Sequence, residues 1–208
     1  ALENGCGPYF EIFNQHSYNT PESQFDLIEE DRRLLADFGL ARPIWMTEMG
    51  RRSDPDPDGG YVQAERDQVS YLLRAYACGL AAGLDRFHYF YLQEFLEYGM
   101  WLWGLLRDDL SPKPAFMALA ALIRQLQQAR PTGFCRQGQS YAVVFERAAN
   151  DYVALAWSLE PAEMVFALRD GAWLANPMGV RVRDLPAGQH ALALDLQPVF
   201  VRGVEPGG

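Results

Sequence analysis

The sequence predicts an α/β fold in which three strand–helix units on a parallel sheet are followed by a small antiparallel β-sandwich. From residue 10 to residue 131, short apolar runs alternate with long amphipathic stretches, which is typical of strand–helix units. After about Gly133 the apolar residues recur with a period of two, as in strands with one buried face. We therefore expect two domains, residues 1–132 and residues 133–208.

The first unit joins the apolar run at 10–16 to a helix that begins near residue 20. Thr20 is a candidate N-cap, Pro21 suits the first helical turn, and Glu22 suits the positive end of the helix dipole. Gly39 suits the left-handed turn that ends a helix. The predicted buried face consists of apolar residues at helical spacing: Leu27, Ile28, Leu34, Leu35 and Phe38.

The second and third units repeat this pattern. The second has a strand at 43–48, followed by a helix that Gly83 ends. The third has a strand at 86–91 and a helix that begins after Pro112. The buried face predicted for the last helix consists of Phe116, Leu119, Ile123 and Leu126.

The last part of the chain contains short alternating segments and turn signals. The predicted strands lie at 141–145, 153–157, 180–182, 192–196 and 199–201. Turn signals at Asp170-Gly171, Asn176-Pro177 and 186–188 separate them, as expected of an antiparallel sandwich.

Composition excludes several classes of protein. Lys and Arg number 18 and Asp and Glu 27, for a net charge of −9, so we expect no nucleic-acid partner, which would require a basic surface. No apolar run approaches the roughly 18 residues that cross a bilayer, so we expect no transmembrane segment and a soluble protein. An extracytoplasmic location is plausible, and the sequence leaves the compartment open. Cys6, Cys78 and Cys135 lack the spacing of a disulfide framework or a zinc site, and no cofactor motif occurs.

The segment from Arg42 to Gly50 is the most informative for function. Strand alternation predicts that Ile44, Met46 and Glu48 share one side of their strand. If that side faces a barrel interior, two apolar layers lead to a carboxylate at the C-terminal mouth, where barrel active sites lie. Glu48 is therefore a candidate catalytic residue, and a helix-capping or surface glutamate is the alternative.

Four motifs follow one another between residues 9 and 127. They are His16 and Tyr18 in a His-x-Tyr pattern, Trp45, Thr47, Glu48 and Gly50 in a W-x-T-E-x-G pattern, Gln68 with Tyr71-Leu72, and the run Ser-Pro-Lys-Pro-Ala-Phe at 111–116. Together they resemble the clan A glycoside hydrolases, the retaining glycosidases on (β/α)₈ barrels. In that clan the first two patterns end the sixth and seventh strands.

The resemblance implies that the chain supplies about the last three strand–helix units of a (β/α)₈ TIM barrel and that Glu48 is the nucleophile. It also implies that His16 and Tyr18 orient Glu48 or contact the sugar, and that the ring of Tyr89 faces a pyranose. We expect two more substrate-binding residues, Trp101 and Trp103, in the loop after the last strand. As alternatives, His16 is a histidine of the barrel wall and Tyr89 fills volume in the core.

Retaining hydrolysis needs a second carboxyl group roughly 5 Å from the nucleophile. In the clan this acid/base glutamate lies in an Asn-Glu pair, which the sequence lacks. We therefore expect the N-terminal half of the barrel to be a missing partner and the isolated chain to be inactive. Glu94 and Glu97 are candidate replacements, although acids in such loops are more often solvated. The side chains expected to become exposed and to promote association are Ile44, Met46, Phe87 and Tyr89.

The loop after Glu48 also has the spacing of a calcium site. The residues in this pattern are Asp54, Asp56, Asp58 and Glu65. Two prolines stiffen the loop and no incoming helix precedes it, so no metal is expected.

The prediction is a retaining glycoside hydrolase that acts on an oligo- or polysaccharide without a cofactor. Neutral sugars are bound through aromatic rings and hydrogen bonds, which suits the aromatic residues near the strand ends. Two alternatives stay open. One is a non-catalytic carbohydrate-binding or accessory protein with a degenerate barrel, and the other is an adhesion or binding module formed by the last domain.

Overall fold

A computed structural model of the chain describes residues 2–55, 60–94 and 102–205. Its first part contains a parallel sheet whose strands lie in the order β1 (Phe13–His16), β2 (Ile44–Met49) and β3 (Arg86–Tyr89). Each strand is followed by a helix: α1 (Gln24–Asp37), α2 (Gly60–Ala81) and α3 (Pro114–Leu126). The three strand–helix units and their parallel pairing are therefore confirmed.

The second part is an antiparallel sheet that follows α3. Its strands are β4 (Arg130–Gln137), β5 (Ser140–Ala148), β6 (Asp151–Ser158), β7 (Ala162–Ala175), β8 (Arg181–Leu185), β9 (Gly188–Leu194) and β10 (Val199–Val204). They are ordered β4-β5-β6-β10-β7-β8, and β9 pairs with β7. The antiparallel pairing is as predicted, but the strands form one hydrogen-bonded sheet and not two, and β4 and β7 were not among the predicted strands.

The long strand β7 explains why the sheet is continuous. The turn predicted at Asp170-Gly171 is wrong, because both residues lie within β7, where Gly171 takes a φ of 76°. Before this point β7 pairs with β9 and, at Leu168, with β10, and beyond it β7 pairs with β8 and β10. The sheet curls so that one of its faces packs on itself, and Ala154 and Phe166 belong to the core enclosed there.

The start of α1 also differs from the prediction. A 3₁₀ helix (Pro21–Ser23) precedes it, and the side chain of Thr20 makes no capping hydrogen bond. Instead of facing the helix dipole, Glu22 accepts hydrogen bonds from Arg74 on α2 at 2.8 and 2.7 Å and from Trp157 on β6 at 2.9 Å. Glu22 therefore connects the first part of the chain to the antiparallel sheet.

The buried faces of two helices are only partly those predicted. In α1, Ile28 and Leu35 are buried, whereas Leu34 and Phe38 are 41% and 40% exposed. In α3, Ile123 is 60% exposed, so its predicted place in the core is wrong. The buried side of α3 consists mostly of small residues, which allow a close approach to α2: Ala115, Ala118, Ala121 and Leu122.

Helix α2 packs against both sheets. On one side, Tyr71 and Ala75 belong to a core with residues of β2. On the other side, Leu72 and Leu73 pack in a core with Phe145 and Trp157 of the antiparallel sheet. The antiparallel sheet is thus held against the helices by buried apolar contacts. Within the described ranges, no helix combines the length and apolarity needed to cross a bilayer.

Candidate active site

Glu48 lies near the end of β2, where the strand contains a bulge. Consecutive residues of β1 pair with Met46 and with Glu48, so Thr47 is an extra residue of β2. A bulge places two residues of one strand opposite a single residue of the other and redirects their side chains. The local backbone therefore decides where the carboxylate lies.

The bulge breaks the alternation expected along β2. Ile44 and Met46 are 2% and 0% exposed and pack in a core with residues of α1 and α2. Glu48 lies on the other, open face of the parallel sheet, together with Thr47 and His16. The prediction that Ile44 and Met46 share the side of Glu48 is wrong, and so is their predicted exposure in the isolated chain.

Two side chains from the end of β1 hold the carboxylate of Glu48. The hydroxyl of Tyr18 donates to Oε2 at 2.8 Å, and Nδ1 of His16 lies 3.3 Å from the same oxygen. In the described part of the chain, no residue donates a hydrogen bond to the second carboxylate oxygen, Oε1. Burial and the bond to Glu48 raise the pKa of Tyr18 above its usual range, so its hydroxyl remains a donor at neutral pH.

The ring of His16 is in turn positioned by two polar neighbours. Its Nε2 atom lies 3.0 Å from Oγ1 of Thr47 and 3.3 Å from Nδ2 of Asn14. The Thr47 hydroxyl donates to Oδ1 of Asn14 at 2.5 Å. This chain of contacts turns the opposite ring nitrogen toward Glu48.

Aromatic rings form one wall beside Glu48. Tyr18 and Trp103 lie with ring centroids 4.9 Å apart, and Phe90 lies 6.0 Å from Trp103. The backbones of residues 50 and 90 lie so close together that position 50 requires glycine. A Cβ on Gly50 would lie 2.6 Å from the carbonyl oxygen of Phe90. Trp103 is therefore placed beside the site, whereas Trp101 lies outside the described residues.

A pocket of about 410 Å³ begins beside this wall and includes Arg51 and Tyr71 in its lining. Gln68 on α2 is completely buried and fixes the loops around the pocket. Its side-chain amide donates to the carbonyl oxygens of Arg51 at 3.0 Å, Trp103 at 3.1 Å and Gly104 at 3.3 Å. The glutamine of the third motif thus ties the segment after Glu48 to the segment after β3.

Tyr89 is not on the face that carries Glu48. Its ring packs against the two cores on the helical side of the sheet, and its hydroxyl donates to the carbonyl oxygen of Arg51 at 3.2 Å. Burial raises the pKa of Tyr89 above its usual range. This position agrees with the alternative that Tyr89 fills volume in the core. The ring of Tyr89 does not face the side of the sheet on which a sugar would lie beside Glu48. His88 occupies the open face instead, near Trp45.

Glu94, one of the two acids considered as replacements for the missing one, does not lie free beside Glu48. Glu94 is buried and forms an ion pair with Lys113, whose ammonium group also donates to Oγ of Ser53 at 2.6 Å. Burial lowers the pKa of Lys113. Glu97 lies outside the described residues.

Two members of the calcium pattern have other partners. Asp54 pairs with Arg52 at 3.0 Å, and Glu65 pairs with Arg107 at 2.6 Å. Asp56 and Asp58 lie outside the described residues. Over residues 2–55, 60–94 and 102–205, three or more His, Cys, Asp or Glu side chains do not gather into a metal site.

Three residues of this region were missed in the sequence. Asn14 lies two positions before His16, so strand alternation alone could have placed both on one face. Lys113 lies inside the Ser-Pro-Lys-Pro motif, but nothing in its pattern indicates Glu94 as its partner. Arg51 follows the W-x-T-E-x-G pattern and carries no further signal.

The chain is similar in fold to several solved protein structures. No protein-family model matches the sequence, and no curated protein matches it. A family 39 glycoside hydrolase from the gut symbiont Bacteroides cellulosilyticus WH2 is similar over 97% of this chain and 46% of its own, with a TM-score of 0.75 and 20% identity. A GH51 arabinofuranosidase from Xanthomonas axonopodis pv. citri is similar over 98% of this chain and 55% of its own, with a TM-score of 0.68 and 11% identity.

A third structure, a β-porphyranase of glycoside hydrolase family 86 from Bacteroides plebeius, is similar over 97% of this chain and 43% of its own, with a TM-score of 0.60 and 11% identity. The chain thus spans about half the length of these solved structures. All three are glycoside hydrolases, and at these identities the likeness is one of fold.

Proposed function

We propose that the chain is part of a retaining glycoside hydrolase in which β1, β2 and β3 are the last three strands of a (β/α)₈ barrel and Glu48 is the nucleophile. Three features support this proposal. The strands are parallel and each is followed by a helix. The fold is similar to that of glycoside hydrolases. The motifs around His16 and Glu48 converge at one end of the sheet.

The observation that carries the proposal is the way in which Glu48 is held. Tyr18 and His16 both approach Oε2, and the side chain of Glu48 is 35% exposed. A carboxylate that is fixed through one oxygen and remains partly exposed is preorganised for attack.

The proposed reaction has two displacements. Oε1 of Glu48 forms a bond to the anomeric carbon while the bond from that carbon to the leaving oxygen breaks, and a second carboxylic acid gives its proton to the departing oxygen. Water then loses a proton to that same carboxylate, attacks the anomeric carbon and releases Glu48. Two inversions retain the anomeric configuration. Throughout, Tyr18 holds Oε2 in place.

We assign the second carboxyl group to a part of the barrel that the solved neighbours have and this chain does not span. Glu94 is unsuited to the role because it is buried in an ion pair with Lys113. The substrate in this proposal is an oligo- or polysaccharide, toward which Trp103 and Phe90 present apolar ring surface. Acid and base catalysis by carboxyl groups requires no cofactor.

Turnover by the protein expressed from its full coding sequence tests the nucleophile. Glu48→Ala should reduce turnover of an aryl glycoside by several orders of magnitude, because it removes the two-step route. Azide should restore part of the rate to that variant with an activated substrate, since the small anion can attack in place of the carboxylate.

The matched control is Glu30→Ala, an exposed glutamate on α1, which should leave turnover unchanged. Near-normal turnover of Glu48→Ala would contradict the assignment. If the full-length protein binds sugars but hydrolyses none, the non-catalytic accessory alternative replaces it.

A further inference from the structure

The pocket beside Glu48 is lined by hydrogen-bond donors. Arg51 is 51% exposed along its side chain and contributes to the pocket wall. Tyr71 lies in the same wall and is 5% exposed, and its buried hydroxyl has no hydrogen-bond partner among the residues that the structure describes. A buried hydroxyl is normally satisfied, so one that borders a pocket and lacks a partner points to a ligand group.

Both groups require an acceptor. A guanidinium group carries five N–H donors and has no acceptor of its own. The hydroxyl of Tyr71 keeps its proton at neutral pH, because burial raises the pKa of Tyr71 to about 12. A ligand group that satisfies both residues must therefore be rich in acceptor oxygens.

Two arginines lie at the pocket, and one of them is only loosely paired. Two arginines, Arg51 and Arg52, line it together with one carboxylate, Asp54. Asp54 is already engaged, since it pairs with Arg52 and accepts a hydrogen bond from the backbone of Leu102 at 3.0 Å. Arg51 has a distant partner, with its Nη2 atom 3.5 Å from a carboxylate oxygen of Asp67. Of the two arginines, Arg51 is therefore the one whose guanidinium group is more loosely paired and can bind a ligand.

The backbone of Arg51 is held in place by hydrogen bonds from two side chains. Its carbonyl oxygen accepts hydrogen bonds from the amide of Gln68 at 3.0 Å and from the hydroxyl of Tyr89 at 3.2 Å. Gly50, the preceding residue, is confined by the carbonyl of Phe90. Because this segment is already ordered, ligand binding costs little conformational entropy of its backbone, which favours binding.

We infer that this pocket binds the acidic group, a carboxylate or a sulfate, of a charged sugar. Arg51 donates two parallel N–H bonds to the acidic group, and Tyr71 donates a third. Trp103 and Tyr18 provide ring surface on the side toward Glu48. The inference rests on the proposed function and narrows its substrate class to acidic saccharides.

Binding of matched sugars to the protein expressed from its full coding sequence tests the inference. Glucuronate and glucose differ in the carboxylate, and tryptophan fluorescence can report binding next to Trp103. We expect glucuronate or glucose 6-sulfate to bind at least about tenfold more tightly than glucose. Arg51→Gln should abolish that preference, and Tyr71→Phe should reduce it severalfold. Arg33→Gln, which changes an exposed arginine on α1, is the control and should leave binding unaltered.

The outcomes separate this inference from the proposed function. Equal affinity for glucuronate, glucose 6-sulfate and glucose, or a preference that persists in Arg51→Gln, would overturn the inference and leave the proposed function standing. Inorganic sulfate that binds as tightly as glucose 6-sulfate would indicate a simple anion site and overturn the saccharide assignment. If a folded chain binds no sugar at all, the inference fails and the proposed function loses support with it.

Discussion

Replacing Glu22 by alanine tests how the two parts of the chain are held together. The carboxylate accepts hydrogen bonds from Nε of Arg74 at 2.8 Å, from Nη2 of Arg74 at 2.7 Å and from Nε1 of Trp157 at 2.9 Å. The side chains of Arg74 and Glu22 are 9% and 12% exposed. Glu22→Ala therefore leaves a buried guanidinium group without its carboxylate.

Removing one partner of a buried ion pair costs about 3–5 kcal/mol, because the other charge stays desolvated. In a protein of this length, each kcal/mol lowers the melting temperature by about 2–4 °C, so Glu22→Ala should lower it by about 6–20 °C. Trp157→Phe keeps the ion pair but removes a hydrogen bond to a charged group and part of a fully buried ring. We expect that variant to lose at least about 1.5–3 kcal/mol, the cost of the hydrogen bond alone.

Urea and thermal unfolding, followed by circular dichroism, measure these effects. The double variant Glu22→Ala/Arg74→Met removes both charges and should recover much of the loss, since apolar replacement of a buried pair is often nearly neutral. As a control, Glu29→Ala breaks an exposed pair with Arg33 and should cost at most about 1 kcal/mol. A loss below about 1 kcal/mol for Glu22→Ala, or a double variant no more stable than the single one, would refute this reasoning.

Three further predictions concern other parts of the molecule. Gly50→Ala should lower the free energy of unfolding by about 1–3 kcal/mol because its Cβ would collide with the carbonyl of Phe90, and an unchanged melting temperature would contradict the described packing. Burial raises the pKa of Tyr76 to about 12, so its contribution to stability is complete below pH 10 and is lost as the pH rises to 12. Because burial also raises the pKa of Tyr71 and Tyr89, Tyr76→Phe should reduce the fall seen in urea titrations by about 2–3 kcal/mol without removing it entirely. Finally, the isolated chain should not hydrolyse aryl glycosides, because Glu48 lacks a second carboxyl group as partner, whereas activity of the isolated chain that Glu48→Ala abolishes would contradict this expectation.

The strand–helix units were predictable because their signals are local. Apolar periodicity and the glycines that end helices identify each element without knowledge of its neighbours. The bulge at Thr47 is different, because it arises from the pairing between β1 and β2. Gly171 is a second feature that depends on strand pairing. A glycine with positive φ suits either a turn or a bend within a strand, and only the pairing of β7 with its neighbours shows that Gly171 lies in a bend.

The proximity of three candidate residues was predictable from the sequence, and the geometry around them was less so. The motifs bring His16, Tyr18 and Glu48 together because the ends of adjacent parallel strands meet at one edge of the sheet. Long-range ion pairs leave no pattern in the sequence. The pairing of Glu94 with Lys113 depends on how the loop after β3 folds over the start of α3.

Covalent trapping tests most directly the central claim that Glu48 is the nucleophile. The protein expressed from its full coding sequence is incubated with a 2-deoxy-2-fluoro glycosyl fluoride, whose fluorine slows the second displacement so that the glycosyl-enzyme accumulates. Peptide mass spectrometry then locates the attached sugar. We predict one adduct per molecule, on Glu48 and absent from Glu48→Gln. An adduct on a different carboxylate, or hydrolysis with inversion of the anomeric configuration and no adduct, would contradict the assignment.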